Sequence, residues 1–239
     1  MSSADQSYVV AGRMPWNRRV FDEDIAGKLP GRWSFAARPD ELTAAHLAAL
    51  RPRYIFFMHW SWKVPDEICR DYECVNFHMA DVPYGRGGSP LQNLVQRGHH
   101  TTKLTALRMI DELDAGPVYA KEDLSLEGSA EEILIRQSRL AAVMIGRLIE
   151  EQPTPVPQSG TPLCFARRKP ADSLIPALPS LDMLHDFLRM LDGAGYPRAY
   201  LVHEGFRFEF SRANLYDGRV VADVTVTRVD PVESRKREG

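Results

Sequence analysis

Asn76 and His78 stand two residues apart in the stretch 73–78 (ECVNFH), which reads as a short strand. Side chains two apart on a strand point to the same face. An amide that can donate a hydrogen bond then sits beside an imidazole that exchanges a proton near neutral pH. Acyl transfer to an amine uses both. A fixed N–H donor stabilises the negative charge that develops on the carbonyl oxygen. An imidazole accepts or relays the proton that the attacking amine must lose. Taken alone, an N-x-H pair more often satisfies buried backbone groups at a strand end. Its context decides between the two readings.

A strand carrying that pair has to be positioned by its neighbours. Residues 7–12 (SYVVAG) read as a first buried strand, 33–37 as a second, and the apolar run 54–58 (YIFFM) as a third. Continuous apolar runs fit strands buried on both faces of a parallel sheet. Pro15 and Trp16 open a loop, 18–26 reads as a short helix, and Leu42, Ala45, Ala49 and Leu50 give 41–50 helical spacing. The alternation predicts an α/β fold: a Rossmann-like, open, mostly parallel sheet with helices on both faces. Such sheets take ligands at the carboxyl ends of their strands. The glycine-rich 85–90 reads as a loop, and a helix with Pro90 in its first turn follows it. Strands are expected at 103–109 and 117–121. The capping-box pattern at 129–132 opens a long helix bearing Ile133, Leu134, Leu140, Ala141, Met144, Ile145 and Leu148.

The prolines of 153–157 (PTPVP) end that helix. They divide the chain into an N-terminal domain over 1–152 that carries the Asn76–His78 pair, a linker over 153–180, and a small C-terminal α+β subdomain over 181–239. The last has a helix at 181–191, followed by strands in which Phe206, Phe208 and Phe210, then Val220, Ala222, Val224 and Val226, alternate. The phenylalanine face lines either a core or the interface of a homodimer.

Composition limits the partners. Of the 239 residues 44% are apolar and 26% charged, with a formal charge of −2, as in ordinary globular proteins. There is no basic surplus for nucleic acid, and the clusters 167–169 and 235–237 read as solvated. No apolar run has membrane-spanning length, and the polar start (Met1 to Gln6) lacks a secretory pattern. Three cysteines, Cys69, Cys74 and Cys164, suit a reducing, cytoplasmic compartment. Cys69, Cys74 and His78 lack a clear fourth metal ligand, so no metal site is expected. The loop Gly85-x-Gly87-Gly88 does not fit a dinucleotide fingerprint.

After His78 the chain reads M-A-D-V-P-Y-G-R-G-G-S-P, and further on L-D-A-G at 113–116. The order N-x-H, P-x-x-R-G, L-D-[TA]-G resembles the folate-dependent formyltransferases, over about Tyr54 to Arg168. That family includes methionyl-tRNA, glycinamide ribonucleotide and sugar N-formyltransferases. The resemblance implies 10-formyltetrahydrofolate as formyl donor and Asn76, His78 and Asp114 as the catalytic trio. Asn76 would polarise the formyl carbonyl, His78 would serve as base or relay, and Asp114 would orient His78 or the water beside it. It also implies a folate pocket made by Phe57, Met58, His59 and Trp60 and by Met109, Ile110, Asp111 and Leu113. Trp16, Asn17, Tyr84, Arg86 and Gly87 are the residues expected against the acceptor.

The chain departs from the family's pattern in three places. Met79-Ala-Asp-Val-Pro83 stands where Ser-Leu-Leu-Pro is usual. Ile110-Asp111-Glu112 replaces the common acidic pair and glycine. Met58-His59-Trp60-Ser61-Trp62 is bulkier than the usual small-residue turn. The stretches around 185–191 and 196–205 resemble the helix and small sheet of sugar N-formyltransferases. The expected acceptor is therefore a nucleotide-linked amino sugar, with no nucleic acid and no membrane partner. A hydroxyornithine-type amine, methionyl-tRNA and a non-catalytic binding module are the alternatives.

Overall fold

The computed structural model describes residues 5–229. The basic cluster at 235–237 and the first four residues of the polar start lie outside them. Met1–Pro90, Thr101–Ser125 and Leu134–Phe165 group as one compact unit, and Leu91–His100, Leu126–Ile133 and Ala166–Gly239 as a second.

The first unit is built on a six-stranded sheet. Its strands are β1 (Ser7–Gly12), β2 (Arg32–Ala36), β3 (Tyr54–Met58), β4 (Cys74–His78), β6 (Thr101–Arg108) and β7 (Val118–Ser125), in the order β2-β1-β3-β4-β6-β7. The pairs from β2 to β4 are parallel, and β6 alone runs against its neighbours. This is the Rossmann-like, mostly parallel sheet that the strand–helix alternation predicts. Every residue of β1 and β3 is buried, as their unbroken apolar runs require.

Alternation along the strands divides the core. Val9, Ala11, Ile55, Phe57 and Cys74 pack with Leu47 of α2 (Ala44–Leu50) and Ile68 of α3 (Asp66–Asp71). Tyr8, Tyr54 and Phe56 point the other way into an aromatic stack with Trp33 and Phe77. Asn76 and His78 share the parity of Cys74, and Phe77 has the opposite parity. The Asn76–His78 pair and the aromatic core therefore occupy opposite faces of one strand. Below the stack, Glu73 accepts from the Tyr119 hydroxyl (2.5 Å) and pairs with Arg53. Burial would raise the Glu73 carboxyl, but those partners outweigh it and hold the group below its ordinary range.

Three local expectations change. Pro15 does not open a loop: it is the first residue of α1 (Pro15–Val20), which runs on into a π-helical turn, Phe21–Ile25. The missing amide of proline costs nothing at that position. Residues 84–87 are not loop but a strand, β5 (Tyr84–Gly87), parallel to β8 (Leu163–Phe165). Their ladder partners lie about eighty residues away, beyond the reach of local pattern. Within the stretch read as linker, Val156 bridges Val118 and β8 completes the pair with β5.

The second unit holds most of α4 (Pro90–Gln96), α6 (Leu181–Arg189) and a three-stranded antiparallel sheet. The sheet order is β11-β10-β9, from Arg219–Arg228, Phe206–Tyr216 and Tyr200–His203. Ser180 caps α6 by accepting from the Met183 amide. Phe208 and Phe210 lie across from Val226 and Val224, which are about half exposed. Residues 200–229 carry four arginines and four acidic residues, so the sheet has no basic surplus.

Candidate active site

Asn76 and His78 come from the carboxyl end of β4, and Asp114 from the turn between β6 and β7. Asp114 has φ 53°, a left-handed conformation that aspartate tolerates better than most residues. Gly116, two residues on, passes so close to the Arg108 carbonyl that an added Cβ would lie 1.7 Å from its oxygen. Gly116→Ala is therefore expected to destabilise the protein by about 1–3 kcal/mol through a forced backbone shift, read as a lower denaturation midpoint. An unchanged midpoint would show that the turn does not depend on this approach.

The turn delivers the Asp114 carboxylate, 8% exposed, into a set of donors. Oδ1 accepts from Asn76 Nδ2 at 3.3 Å, and Oδ2 accepts from the Gly87 amide at 3.0 Å. His78 Nδ1 lies 3.5 Å from Oδ2. The other ring nitrogen, Nε2, lies 2.7 Å from the Gly85 carbonyl oxygen. A carbonyl can only accept, so Nε2 carries the proton and Nδ1 is the basic atom. Gly85 has φ 83°, and a side chain there would meet Ala80 and the Phe165 ring at 2.8 Å. The position thus requires glycine to aim its carbonyl at His78. When Nδ1 takes up a proton, the imidazolium faces a carboxylate on one side and a carbonyl on the other. Asp114 spends Oδ1 on one N–H of Asn76, and the second N–H of that amide remains for a ligand oxygen.

The loop after β3 is fixed by a separate polar chain. His59 has φ 52°. Its Nδ1 lies 3.1 Å from Asn17 Nδ2, and its Nε2 lies 2.6 Å from Gln137 Oε1. Backbone partners fix both amide orientations. Asn17 Oδ1 accepts from the Met14 amide, and Gln137 Nε2 donates to the Phe77 carbonyl between Asn76 and His78. Asn17 Nδ2 also donates to Ser138 Oγ at 2.9 Å. His59 Nδ1 must then accept and Nε2 must donate, which defines one neutral tautomer. Burial pushes its pKa down to about 4, against a smaller opposing effect of the Gln137 hydrogen bond.

These contacts sort the expected site residues. Asn17 is fully buried with its amide engaged, so it supports the β3 loop and does not face an acceptor. Trp16 is 7% exposed and meets His59 edge-on at 6.2 Å; among the described residues its indole nitrogen has no hydrogen-bond partner. Phe57 and Met58 direct buried side chains into the core, so only their backbone is available to a ligand. Trp60 and Met109 pack on the edge of the α2/α3-side core, while Ile110 and Leu113 are exposed apolar side chains and Asp111 is exposed. Tyr84 packs edge-on against Phe165 at 5.5 Å. Arg86 is held by Gln158 and Glu112, and Gly87 touches Asp114 through its amide. Among the described residues no group of three or more His, Cys, Asp or Glu side chains converges on a metal position.

Three residues in these contacts were not anticipated. Gln137 and Ser138, 4% and 1% exposed, occupy the inward side of α5 (Ala130–Glu151), where the periodicity calls for apolar residues. Polar residues in an apolar stripe are a signal readable in sequence. Gln158 gave none, standing just after the proline-rich stretch.

An amide donor, a buried imidazole and a buried carboxylate at the end of a parallel strand are the equipment of an acyl-transfer site on a Rossmann-like sheet. Residues 170–227 match the family model described as methionyl-tRNA formyltransferase, C-terminal domain. The structure of a methionyl-tRNA formyltransferase from Clostridium thermocellum is 39% identical, with a TM-score of 0.88, covering 94% of this chain and 100% of that one. The methionyl-tRNA formyltransferase of Anaplasma marginale is 26% identical over 193 residues, 78% of this chain and 58% of the relative. A sugar N-formyltransferase from a Shewanella species shares the fold at 13% identity, with a TM-score of 0.64 and coverage of 94% and 99%. The chain belongs to the folate-dependent formyltransferase family. It spans about half the length of the curated relatives it matches, 58% and 40% for two of them.

Proposed function

We propose that this protein transfers a formyl group from 10-formyltetrahydrofolate to an amine, with Asn76, His78 and Asp114 as its catalytic residues. The observation that carries this reading is the convergence of Asn76 Nδ2 and His78 Nδ1 on the two carboxylate oxygens of Asp114. The residues fit the donor: His59, in a left-handed conformation, fixes the β3 loop through Asn17 and Gln137, and Trp60, Met109, Ile110 and Leu113 supply apolar surface for a flat ring. When bound, 10-formyltetrahydrofolate supplies the formyl carbonyl. Asn76 directs its second N–H to that oxygen and stabilises the charge developing there. His78 Nδ1 would take the amine proton, directly or through one water, while the Gly85 carbonyl holds the ring; as the amine–formyl bond forms, the bond from the formyl carbon to the folate nitrogen would break and the proton would pass to that leaving nitrogen. Asp114 stabilises the resulting cation and fixes the Asn76 amide.

For the acceptor we favour the amine of an amino sugar, nucleotide-linked. The charge-balanced C-terminal sheet and the formal charge of −2 support a small substrate over a phosphate-tracking surface. The fold also matches a sugar N-formyltransferase along nearly the whole of both chains. The match of residues 170–227 to a methionyl-tRNA formyltransferase domain favours a second reading, methionyl-tRNA. The proposal includes a cytoplasmic location, in keeping with three free cysteines, and a homodimer joined through the Phe206/Val224/Val226 face. Among the described residues no helix is long and apolar enough to cross a membrane.

The acceptor is tested by offering 10-formyltetrahydrofolate with nucleotide-linked amino sugars, amino acids with side-chain amines and charged tRNA, and scoring formylation by mass spectrometry. Formylation of an amino sugar is the expected result. Formylation of charged tRNA alone, with a rate that falls steeply with salt, would overturn the sugar in favour of tRNA.

A further inference from the structure

Gln158 lies in the stretch that reads as linker, yet each end of its side-chain amide meets a different part of the site. Its Oε1 accepts from Arg86 Nε at 3.0 Å and from Arg86 Nη2 at 2.9 Å. Its Nε2 donates to the Asp114 carbonyl and to the Gly116 carbonyl, both at 2.8 Å. One carbonyl with two lone pairs and one NH2 with two hydrogens are thus fully used. The orientation of the amide follows from its partners, since guanidinium only donates and backbone carbonyls only accept. The segment bearing it is itself anchored on one side, where Val156 and Val118 exchange backbone hydrogen bonds of 2.7 and 2.8 Å.

We infer that Gln158 is the positioning residue for Asp114, clamping the L-D-A-G turn to Arg86 so that the carboxylate is held between Asn76, His78 and Gly87. Asp114 sits in a left-handed conformation in a turn between two strands, where nothing in a helix or sheet ladder fixes it. Its carboxylate must nevertheless reach two side chains and one amide at once. The Gln158 amide closes the carbonyls on either side of Ala115, which leaves the turn little freedom to rotate. It also ties that turn to Arg86, the residue next to Gly87, whose amide binds the carboxylate. Glu112, whose side chain is 73% exposed, is the weaker second partner of Arg86. Its loss would leave the clamp standing.

The consequence for catalysis rests on the proposed formyl transfer, but the geometry has a readout of its own. The Gly87 amide is protected by the Asp114 carboxylate, while the neighbouring Gly88 amide is protected by the Phe165 carbonyl at 3.1 Å. Hydrogen exchange of these two amides, followed by NMR, compares wild type with Gln158→Ala and Gln158→Glu. The glutamate variant keeps the acceptor for Arg86 and loses both donors to the turn. In both variants Gly87 should exchange about tenfold faster or more, with Gly88 unchanged. Unchanged exchange at Gly87 in either variant would overturn the inference, as would equal acceleration at Gly88, which would mark general loosening. In transfer assays kcat should fall about 10–100-fold with KM for the folate donor unchanged. A wild-type protein with no transfer at all would count against the proposed function, and the exchange result would still decide the role of Gln158.

Discussion

His78→Ala is expected to lower kcat of formyl transfer about 10³-fold while KM for the folate donor moves little. Nδ1 of His78 is the atom placed to receive the amine proton, and no second imidazole shares the Asp114 carboxylate among the described residues. Removing the ring takes away an interaction that matters as the proton moves, and not one that holds the donor in the ground state. The fold should tolerate the change, because the ring occupies a strand end and the unpartnered Gly85 carbonyl costs only about 1–3 kcal/mol. His78→Gln separates two roles, since its amide can still donate to the Gly85 carbonyl but cannot take a proton at neutral pH. It should be as inactive as His78→Ala. A glutamine variant within tenfold of wild type would mean that His78 only holds the loop, and the base would have to be sought elsewhere.

The second large effect concerns His59 and acid. In the unfolded chain His59 titrates near 6.5, and in the folded protein its pKa is pushed down to about 4. Between those values the unfolded state binds more protons, so stability rises with pH across that window. The contribution is fully present above pH 6.5 and is lost as pH falls toward 4. The difference corresponds to about 3 kcal/mol between pH 7 and pH 4. The cause is burial, which disfavours the charged ring, and a proton at Nδ1 would also bring an N–H against the Asn17 Nδ2 donor. His59→Asn keeps a residue that tolerates the left-handed backbone and removes the titrating group. Denaturant unfolding at pH 7 and pH 4 should therefore show a smaller loss of stability for the variant, by about 3 kcal/mol. Parallel pH profiles for the two proteins would mean that His59 is charged, or exposed, in the native state.

Much of this arrangement is legible along the chain, and the part that is not has a common cause. The buried strands announce themselves because 7–12 and 54–58 are apolar without a break, which follows from burial on both faces. Asn76 and His78 share a face by parity alone. Asp114 has no local pattern, and only the family resemblance points to it and to the folate donor. Arg86 and Gly87 were read as glycine-rich loop because their strand partners, Cys164 and Phe165, lie far along the chain. The expectation that Asn17 faces an acceptor fails because an amide near a loop gives no sign of whether it faces solvent or a buried histidine. Gln137 and Ser138 could have been found, since they interrupt the apolar stripe of α5. Gln158 could not, because its meaning lies wholly in partners 42 to 72 residues away.

We propose that the Asn76–His78–Asp114 constellation moves a formyl group from folate to an amine. The most direct measurement is the release of tetrahydrofolate from 10-formyltetrahydrofolate by the wild type and by His78→Ala, with and without amine acceptors, at matched protein concentration. Acceptor-dependent release is expected from the wild type, accompanied by one formylated amine per tetrahydrofolate, with near-complete loss in His78→Ala. Release that ignores every acceptor, or that persists unchanged in His78→Ala, would contradict it.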